Sequence, residues 1–475
     1  MHKYDLLVIG SGAGANVAAN AYETGMTVAL VDNERFGGTC LLRGCIPTKI
    51  LTRVADLIME VKGAGRVDLK ARIDGVDFAS LMDRMRAETV GESEKIEESV
   101  AHASGYDFYR GTGEFVSDLT MTVNGETIKA DHVVIASGAR PYIPPIDGLD
   151  AVEYLTNKTV LEIKEIPKSM IIVGGGYIAV EFAHFFSAIG TDVTILGRNV
   201  RLLKEEDSDV SALLQAELSK RMKVYTNCEV VSARESGGLE RVTARNRSSG
   251  EELTFAAETL LIAAGRISNA DLFKPEKTGI KTDAQGWITV DEYFRTSNRH
   301  IWAFGDALGQ HMFRHVANDQ SQIVWLNLRS SMETPKKAKL YSMSYHAVPR
   351  AIFSWPQIAT VGMTLAEARN SGRHLLVGTA DYSDTAKGVA MGRPPGFARI
   401  VADADSQEIL GATIVGPEAP TLVQEVIDLM YTPGRSYVPA LQAMHIHPAL
   451  PEVVQRAFAG LAPIGHEHHH SNHPH

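Results

Sequence analysis

The chain alternates short apolar runs with longer amphipathic stretches, the rhythm of a layered α/β fold. Residues 4–9, YDLLVI, form an apolar run that ends at Gly10. Such a run predicts a parallel strand buried on both faces. GSGAGANVAANAYETG follows as turn, helix and glycine stop, and MTVALVD predicts a second strand ending in an acid. The same grammar returns at 169–197: SMIIVGGG as strand and turn, YIAVEFAHFFSAIG as helix, TDVTILG as strand. Two further strands, in DHVVIASGAR (131–140) and ETLLIAAGR (258–266), end in glycine turns where a backbone can approach a ligand. The stretch 326–344, with SMETPKKAKL, is polar and predicts a surface connector. From Tyr345 onward, FARIVAD and EILGATIVG predict strands and APTLVQEVIDLMY a helix, the mixture of an α+β domain.

Length and composition limit the function classes. A chain of 475 residues holds roughly two to four domains. A net charge of −10 argues against a general nucleic-acid or anionic-membrane surface. The most apolar stretch, 169–190, contains three consecutive glycines and Glu181, so no membrane span is expected. The N-terminus faintly resembles a signal peptide, but Asp5 interrupts it and the glycine spacing explains it better. Three cysteines are too few for a disulfide scaffold, so a reducing, cytoplasmic setting is expected. The tail HEHHHSNHPH (466–475) is expected to be disordered, either an inert appendage or a weak metal-binding tract.

Gly10, Gly12, Gly14 and Ala15 fit the G-x-G-x-x-G/A turn between strand and helix. There the backbone can approach a pyrophosphate, which the helix N-terminus favours electrostatically. Asp32 ends the next strand, where an acid accepts ribose hydroxyls. The second copy runs Gly174, Gly175, Gly176, Tyr177, Ile178, Ala179. Its following strand ends at Gly197 instead of an acid, and Arg198, Arg201 and Lys204 come next. A carboxylate would repel a 2′-phosphate and these cations would attract one, so NADPH is expected in preference to NADH.

Two of the three cysteines, Cys40 and Cys45, lie five positions apart in GGTCLLRGCIPTK. Structural zinc would need more ligands than this neighbourhood supplies, and no metal is expected. Two buried, inert thiols remain open, as does a redox pair. In an undistorted helix the two would be misaligned, but Gly44 can relax the turn.

GGTCLLRGCIPTK resembles the redox signature of the class I pyridine nucleotide–disulfide oxidoreductases, which include glutathione reductase, mycothione reductase, mercuric reductase and dihydrolipoyl dehydrogenase. The resemblance extends over residues 3–460, through GGGYIAVEF, HIWAFGDA (300–307) and MHIHPALPEVV (444–454). It implies two Rossmann-like domains, for FAD (1–149, continued at 273–344) and NAD(P) (150–272), and a C-terminal α+β dimerisation domain (345–465). FAD would be held by the first glycine motif with Asp32, Gly38, Thr39, Gly113, Ser137, Gly138 and Gly305. Asp306 would hold the ribityl chain, and backbone N–H groups near Arg314 and His315 would face the flavin. The nicotinamide nucleotide would meet Gly174, Gly176, Ile178, Arg198, Lys204 and Gly265, under a Tyr177 lid. Glu181 would pair with Lys49 near the flavin.

By the same resemblance His447 is the acid/base and Glu452 its orienter, with His447 acting across a homodimer interface. No role is assigned to His445. NADPH would reduce FAD, and the flavin would open a Cys40–Cys45 disulfide. Cys45 would be held as thiolate, Cys40 would attack a substrate disulfide, His447 would protonate the leaving thiol, and Cys45 would resolve the mixed disulfide. No second cysteine pair lies near the C-terminus. Gly197 and Trp355-Pro356-Gln357 depart from the usual dihydrolipoyl dehydrogenase pattern. The expected substrate is therefore a small-molecule disulfide of the mycothione or glutathione type. The alternatives are oxidation of dihydrolipoamide on a lipoyl-bearing protein with NAD+, and a non-enzymatic redox sensor.

Overall fold

The computed structural model describes residues 1–464. The His-rich tail falls outside them. The first unit is built on β1 (His2–Ile9), α1 (Gly14–Glu23), β2 (Val28–Asp32), α2 (Gly38–Arg43), α3 (Cys45–Lys62), α4 (Phe78–Ala101), β3 (Tyr106–Arg110), β4 (Gly113–Ser117), β5 (Thr120–Val123) and β6 (Glu126–Ile135). The sheet order is β3-β2-β1-β6-β5-β4, with Ile301–Ala303 alongside β6. Alternate residues of β1 point into two separate cores. Leu6 and Val8 pack with Val17, Ala18 and Ala21 of α1, while Leu7 and Ile9 pack with Phe115, Met121 and Ile128 of the meander. Both faces are dry, which is why the strand reads as an unbroken apolar run. Ala270, Phe273, Ile280 and Ile288 join the second of these cores, so the chain returns to this unit after leaving it.

Register sets the site. Ile9 lies opposite both Val31 and Ile135, so Gly10, Asp32 and Ala136 emerge along one sheet edge. Gly10 has φ +102°, and a Cβ there would sit 2.2 Å from the Ala136 carbonyl oxygen. Replacing Gly10 with Ala is expected to destabilise this unit by about 3 kcal/mol. Denaturant unfolding of the cofactor-free protein measures it, and an unchanged midpoint would contradict the packing described.

The second sheet is parallel, in the order Lys223–Tyr225, Asp192–Leu196, Ser169–Val173, Thr259–Ile262, Tyr154–Leu155. Its helix Tyr177–Ile189 is buried at every position from Ala179 to Ala188. Phe182, Phe185 and Phe186 of this helix share a core with Leu51, Ala55 and Ile58 of α3. Inside that contact, His184 Nε2 lies 2.9 Å from Asp56 Oδ1, and His184 Nδ1 accepts from Arg221 Nη2 at 3.0 Å. The helix following the cysteines is thereby fixed against the second unit. A six-stranded antiparallel sheet, Pro349–Ile352 to Ala462–Pro463, makes the C-terminal domain, covered by the helices Ala419–Met430 and Glu452–Ala459.

The expected connector at 326–344 is corrected. The helix Arg314–Glu333 runs through its first half, with Asn327 and Leu328 fully buried. Val324 and Leu328 lie one turn apart on the buried stripe, and the helix stops just before Pro335. Polar composition hid the amphipathic end of a helix. Among the described residues no helix is long and apolar enough to cross a membrane.

Candidate active site

Gly44, at φ −132° and ψ −111°, breaks the chain between α2 and α3. Cys40 sits within α2 and Cys45 opens α3, and the break turns the two thiols toward each other closely enough to hydrogen-bond. Both are free thiols here. The Cys40 S–H donating to Cys45, with the Lys49 ammonium and the Arg314 guanidinium nearby, holds Cys45 down at about 7. Cys40 is pushed up by the same hydrogen bond and by burial. The two shifts run in opposite directions and favour the thiolate at Cys45 over Cys40.

The cysteines open onto a cavity of about 610 Å³ bounded by the sheet edge of the first unit, α2, α3 and the start of Arg314–Glu333. Gly10, Gly12, Asp32, Gly38, Thr39, Ser137 and Gly138 line one end of it. Gly305, Asp306, Arg314 and His315 line another wall, and Lys49, Glu181, Tyr177 and Ile178 close the side toward the second unit. Gly113 lines a small adjoining pocket with Asp32 and Ser137. Gly14 and Ala15 line neither. A Cβ on Gly14 would stand 3.0 Å from a Val8 methyl, so that glycine serves helix–strand packing, and Ala15 lies in the first turn of α1.

Asp32 accepts from Ser11 N–H at 2.8 Å and Ser11 Oγ at 2.6 Å, and burial raises its carboxyl. Burial also raises Asp306, with Arg266 Nε 3.9 Å away pulling the other way. Lys49 Nζ lies 2.7 Å from Glu181 Oε2 and 4.3 Å from the centre of the Phe353 ring, and Glu181 Oε1 accepts from Phe353 N–H at 3.0 Å.

A second cavity, about 970 Å³, contains Gly174, Gly176, Ile178, Arg198, Lys204 and Gly265 in its walls. Tyr177 stands in the walls of both cavities. Arg201 is turned away from this cavity. Its Nη2 donates to the Lys204 and Glu206 carbonyls at 3.0 and 3.3 Å, bracing the loop from within. Residues that pattern alone did not single out belong to the first cavity: Arg43, Asn157, Arg266 and Phe353 line it, and Ser11 bonds its Asp32. Arg266 carried a signal, as the cation ending AAGR. Ser11 occupies a free position of the glycine motif and carried none.

His447 and Glu452 line neither cavity. His447 Nδ1 is 2.8 Å from Glu452 Oε1, and Glu452 Oε2 accepts from Ala449 N–H at 3.0 Å. The His447 side chain is 69% exposed, and its bond holds the Glu452 carboxyl below the usual range. Among the described residues no cluster of three His, Cys, Asp or Glu side chains could hold a metal.

Residues 4–321 match the family model of pyridine nucleotide-disulphide oxidoreductases, and residues 348–458 match the dimerisation domain of the same family. The chain is a class I pyridine nucleotide–disulfide oxidoreductase. This oxidoreductase is 36% identical over 467 residues to mycothione reductase of Mycobacterium tuberculosis, covering 97% of this chain and all of the relative. It is 31% identical to dihydrolipoyl dehydrogenase of Bacillus subtilis, over 96% of this chain and 97% of the relative. Its fold superposes on the HOCl-induced flavoprotein disulfide reductase RclA of Escherichia coli with a TM-score of 0.83 at 27% identity, over 96% and 99% of the two chains. The oxidoreductase is thus an FAD-dependent disulfide reductase that uses a pyridine nucleotide. Its residues fit that cofactor. Ser137 Oγ is buried without a hydrogen-bond partner at the cavity wall, and Gly10 and Gly38 have positive φ where a Cβ would strike backbone.

Proposed function

We propose that the enzyme reduces a low-molecular-weight disulfide with NADPH, through Cys40 and Cys45, with His447 of the partner subunit as acid/base. The observation that carries it is the Cys40–Cys45 pair, brought together at Gly44 beside Lys49 and Glu181, on the wall of the cavity that also holds the first glycine turn and Asp32. FAD would be held by the first glycine turn, Asp32, Thr39, Ser137, Asp306 and Arg314. The chemistry supplied by the bound cofactors is transfer of an electron pair from a nicotinamide to sulfur. Tyr177, shared by both cavities, would shield the nicotinamide face, and the Lys49–Glu181 pair would orient it.

Cys40 begins as a thiol and needs a base. Glu452 accepts the Nδ1–H of His447, which leaves Nε2 with its lone pair free. The partner subunit's His447 takes the Cys40 proton, and the sulfur attacks one sulfur of R–S–S–R. The S–S bond breaks, one RS⁻ leaves with the proton returned from Nε2, and a Cys40–S–S–R bond remains. Cys45, already thiolate, attacks Cys40 sulfur, expels the second RS⁻ and closes the intramolecular disulfide, ready for the next electron pair.

Arg198 and Lys204, exposed in the wall of the second cavity beyond Gly197, support the preference for NADPH. Changing both to Ala is expected to raise the KM for NADPH at least about tenfold with little effect on NADH, from the loss of charge-assisted phosphate contacts. Equal changes for both nucleotides would count against the preference. Steady-state kinetics with each nucleotide against mycothione, glutathione disulfide, coenzyme A disulfide, bis-γ-glutamylcystine and lipoamide tests the reading as a whole. Turnover confined to the lipoyl substrate, with dihydrolipoamide oxidised by NAD+, would replace it with dihydrolipoyl dehydrogenase.

A further inference from the structure

The segment that presents His447 is almost entirely exposed. Met444 is 100% and Ile446 79% exposed, and the His447 side chain points outward as well. His445 points the other way, with its side chain only 7% exposed. Its Nε2 lies 2.8 Å from Glu425 Oε1, and its Nδ1 lies 3.2 Å from the Ala443 carbonyl oxygen. Both neighbours are acceptors, so the ring is held between the Glu425 carboxylate and the backbone of its own segment. Glu425 belongs to the helix Ala419–Met430, which is seated in the domain core by Leu422, Val423 and Val426. Beyond His447, Glu452 opens the helix Glu452–Ala459, seated in the same core by Val453, Val454 and Ala457. The exposed segment is therefore pinned two residues before His447 and five residues after it, each time to a rigid helix.

We propose that His445 and Glu425 are positioning residues for His447: their hydrogen bond fixes the 443–447 backbone so that His447 Nε2 faces the partner subunit's sulfur pair. The inference rests on His447 being the acid/base. A bond to a rigid helix limits the swing of an exposed segment, and proton transfer is sensitive to misplacement by about 1 Å.

The test compares H445Q, E425Q and H447Q in the FAD-loaded dimer. With H445Q, kcat for disulfide reduction is expected to fall by about tenfold to a hundredfold. The KM for NADPH, NADPH-driven ferricyanide reduction and the dimer mass should stay as in the unmodified enzyme, since His445 touches neither cavity. The double variant H445Q/H447Q should be no slower than H447Q alone. If H445Q does not fold, E425Q keeps an acceptor in place and removes only the charge, and it should show the same split to a smaller degree. Disulfide turnover by H445Q and E425Q within twofold of normal, alongside a crippled H447Q, overturns the positioning role and leaves the acid/base reading standing. A parallel loss of ferricyanide reduction, or dissociation of the dimer, overturns it as well, because it makes the pair a general structural prop. Full turnover by H447Q overturns the acid/base reading and the positioning role with it.

Discussion

Cys40→Ser is expected to cut NADPH-driven disulfide turnover by more than about a thousandfold, the usual consequence of removing a nucleophile that acts as part of a unit. Ferricyanide reduction should survive in the same protein, because electrons reach that acceptor without passing through sulfur. The cavity walls argue for this separation. Cys40 lines the first cavity, whereas the second cavity is walled by Gly174, Gly176 and the Arg198–Lys204 loop and does not touch Cys40. Serine keeps the size and the hydrogen bond toward Cys45 while removing the sulfur that must bond to substrate. Stopped-flow and steady-state assays on one preparation measure both activities. Persistent disulfide turnover in this variant would mean that electrons leave the enzyme by another route, and the proposed order of attack would have to be abandoned.

His447→Gln should lower kcat for the disulfide by about a hundredfold to ten-thousandfold, the range expected when a general acid/base is lost. Two observations set the sign and the size. The hydrogen bond to Cys45 and burial push the Cys40 thiol up, so attack by its sulfur calls for a base. The only histidine nitrogen proposed for that task, Nε2 of His447, is freed by the Nδ1 bond to Glu452. Glutamine cannot take up a proton, so the loss should appear in kcat and should not be recovered at high substrate. Rates measured across pH distinguish this from a packing defect. A variant that keeps the normal pH profile at slightly reduced rate would argue for packing.

Much of this arrangement was legible in the chain. Strands buried on both faces read as apolar runs, and glycines that cannot carry a Cβ stand at fixed offsets, so both nucleotide-type units announce themselves. Gly44 was legible as the place where a helix must yield to bring Cys40 and Cys45 together, and its backbone angles lie far from helical. Other contributors come from tertiary contact. Phe353 meets Lys49 and Glu181 from the C-terminal domain through a backbone N–H and a ring face, which no spacing rule encodes. Ser11 bonds Asp32 from a position where the glycine pattern tolerates any small residue. Arg201 looked like one of three equivalent cations, but a guanidinium can also satisfy carbonyls in its own loop, and here it does. The helix end at 326–333 was masked because its buried stripe includes Asn327, whose amide is spent on the carbonyls of Tyr293 and Tyr341.

His447 and Glu452 stand outside the cavity that holds Cys40, and this permits a genetic complementation. If each working centre takes its sulfurs from one subunit and its imidazole from the other, neither C40S nor H447Q homodimers can turn over. A hybrid of the two would contain one doubly defective centre and one fully wild-type centre. Unfolding and reassembling the two inactive proteins together should therefore restore activity, up to half the normal number of centres in every hybrid. Two inactive samples that stay inactive after verified hybrid formation would place the imidazole and the sulfurs on the same chain.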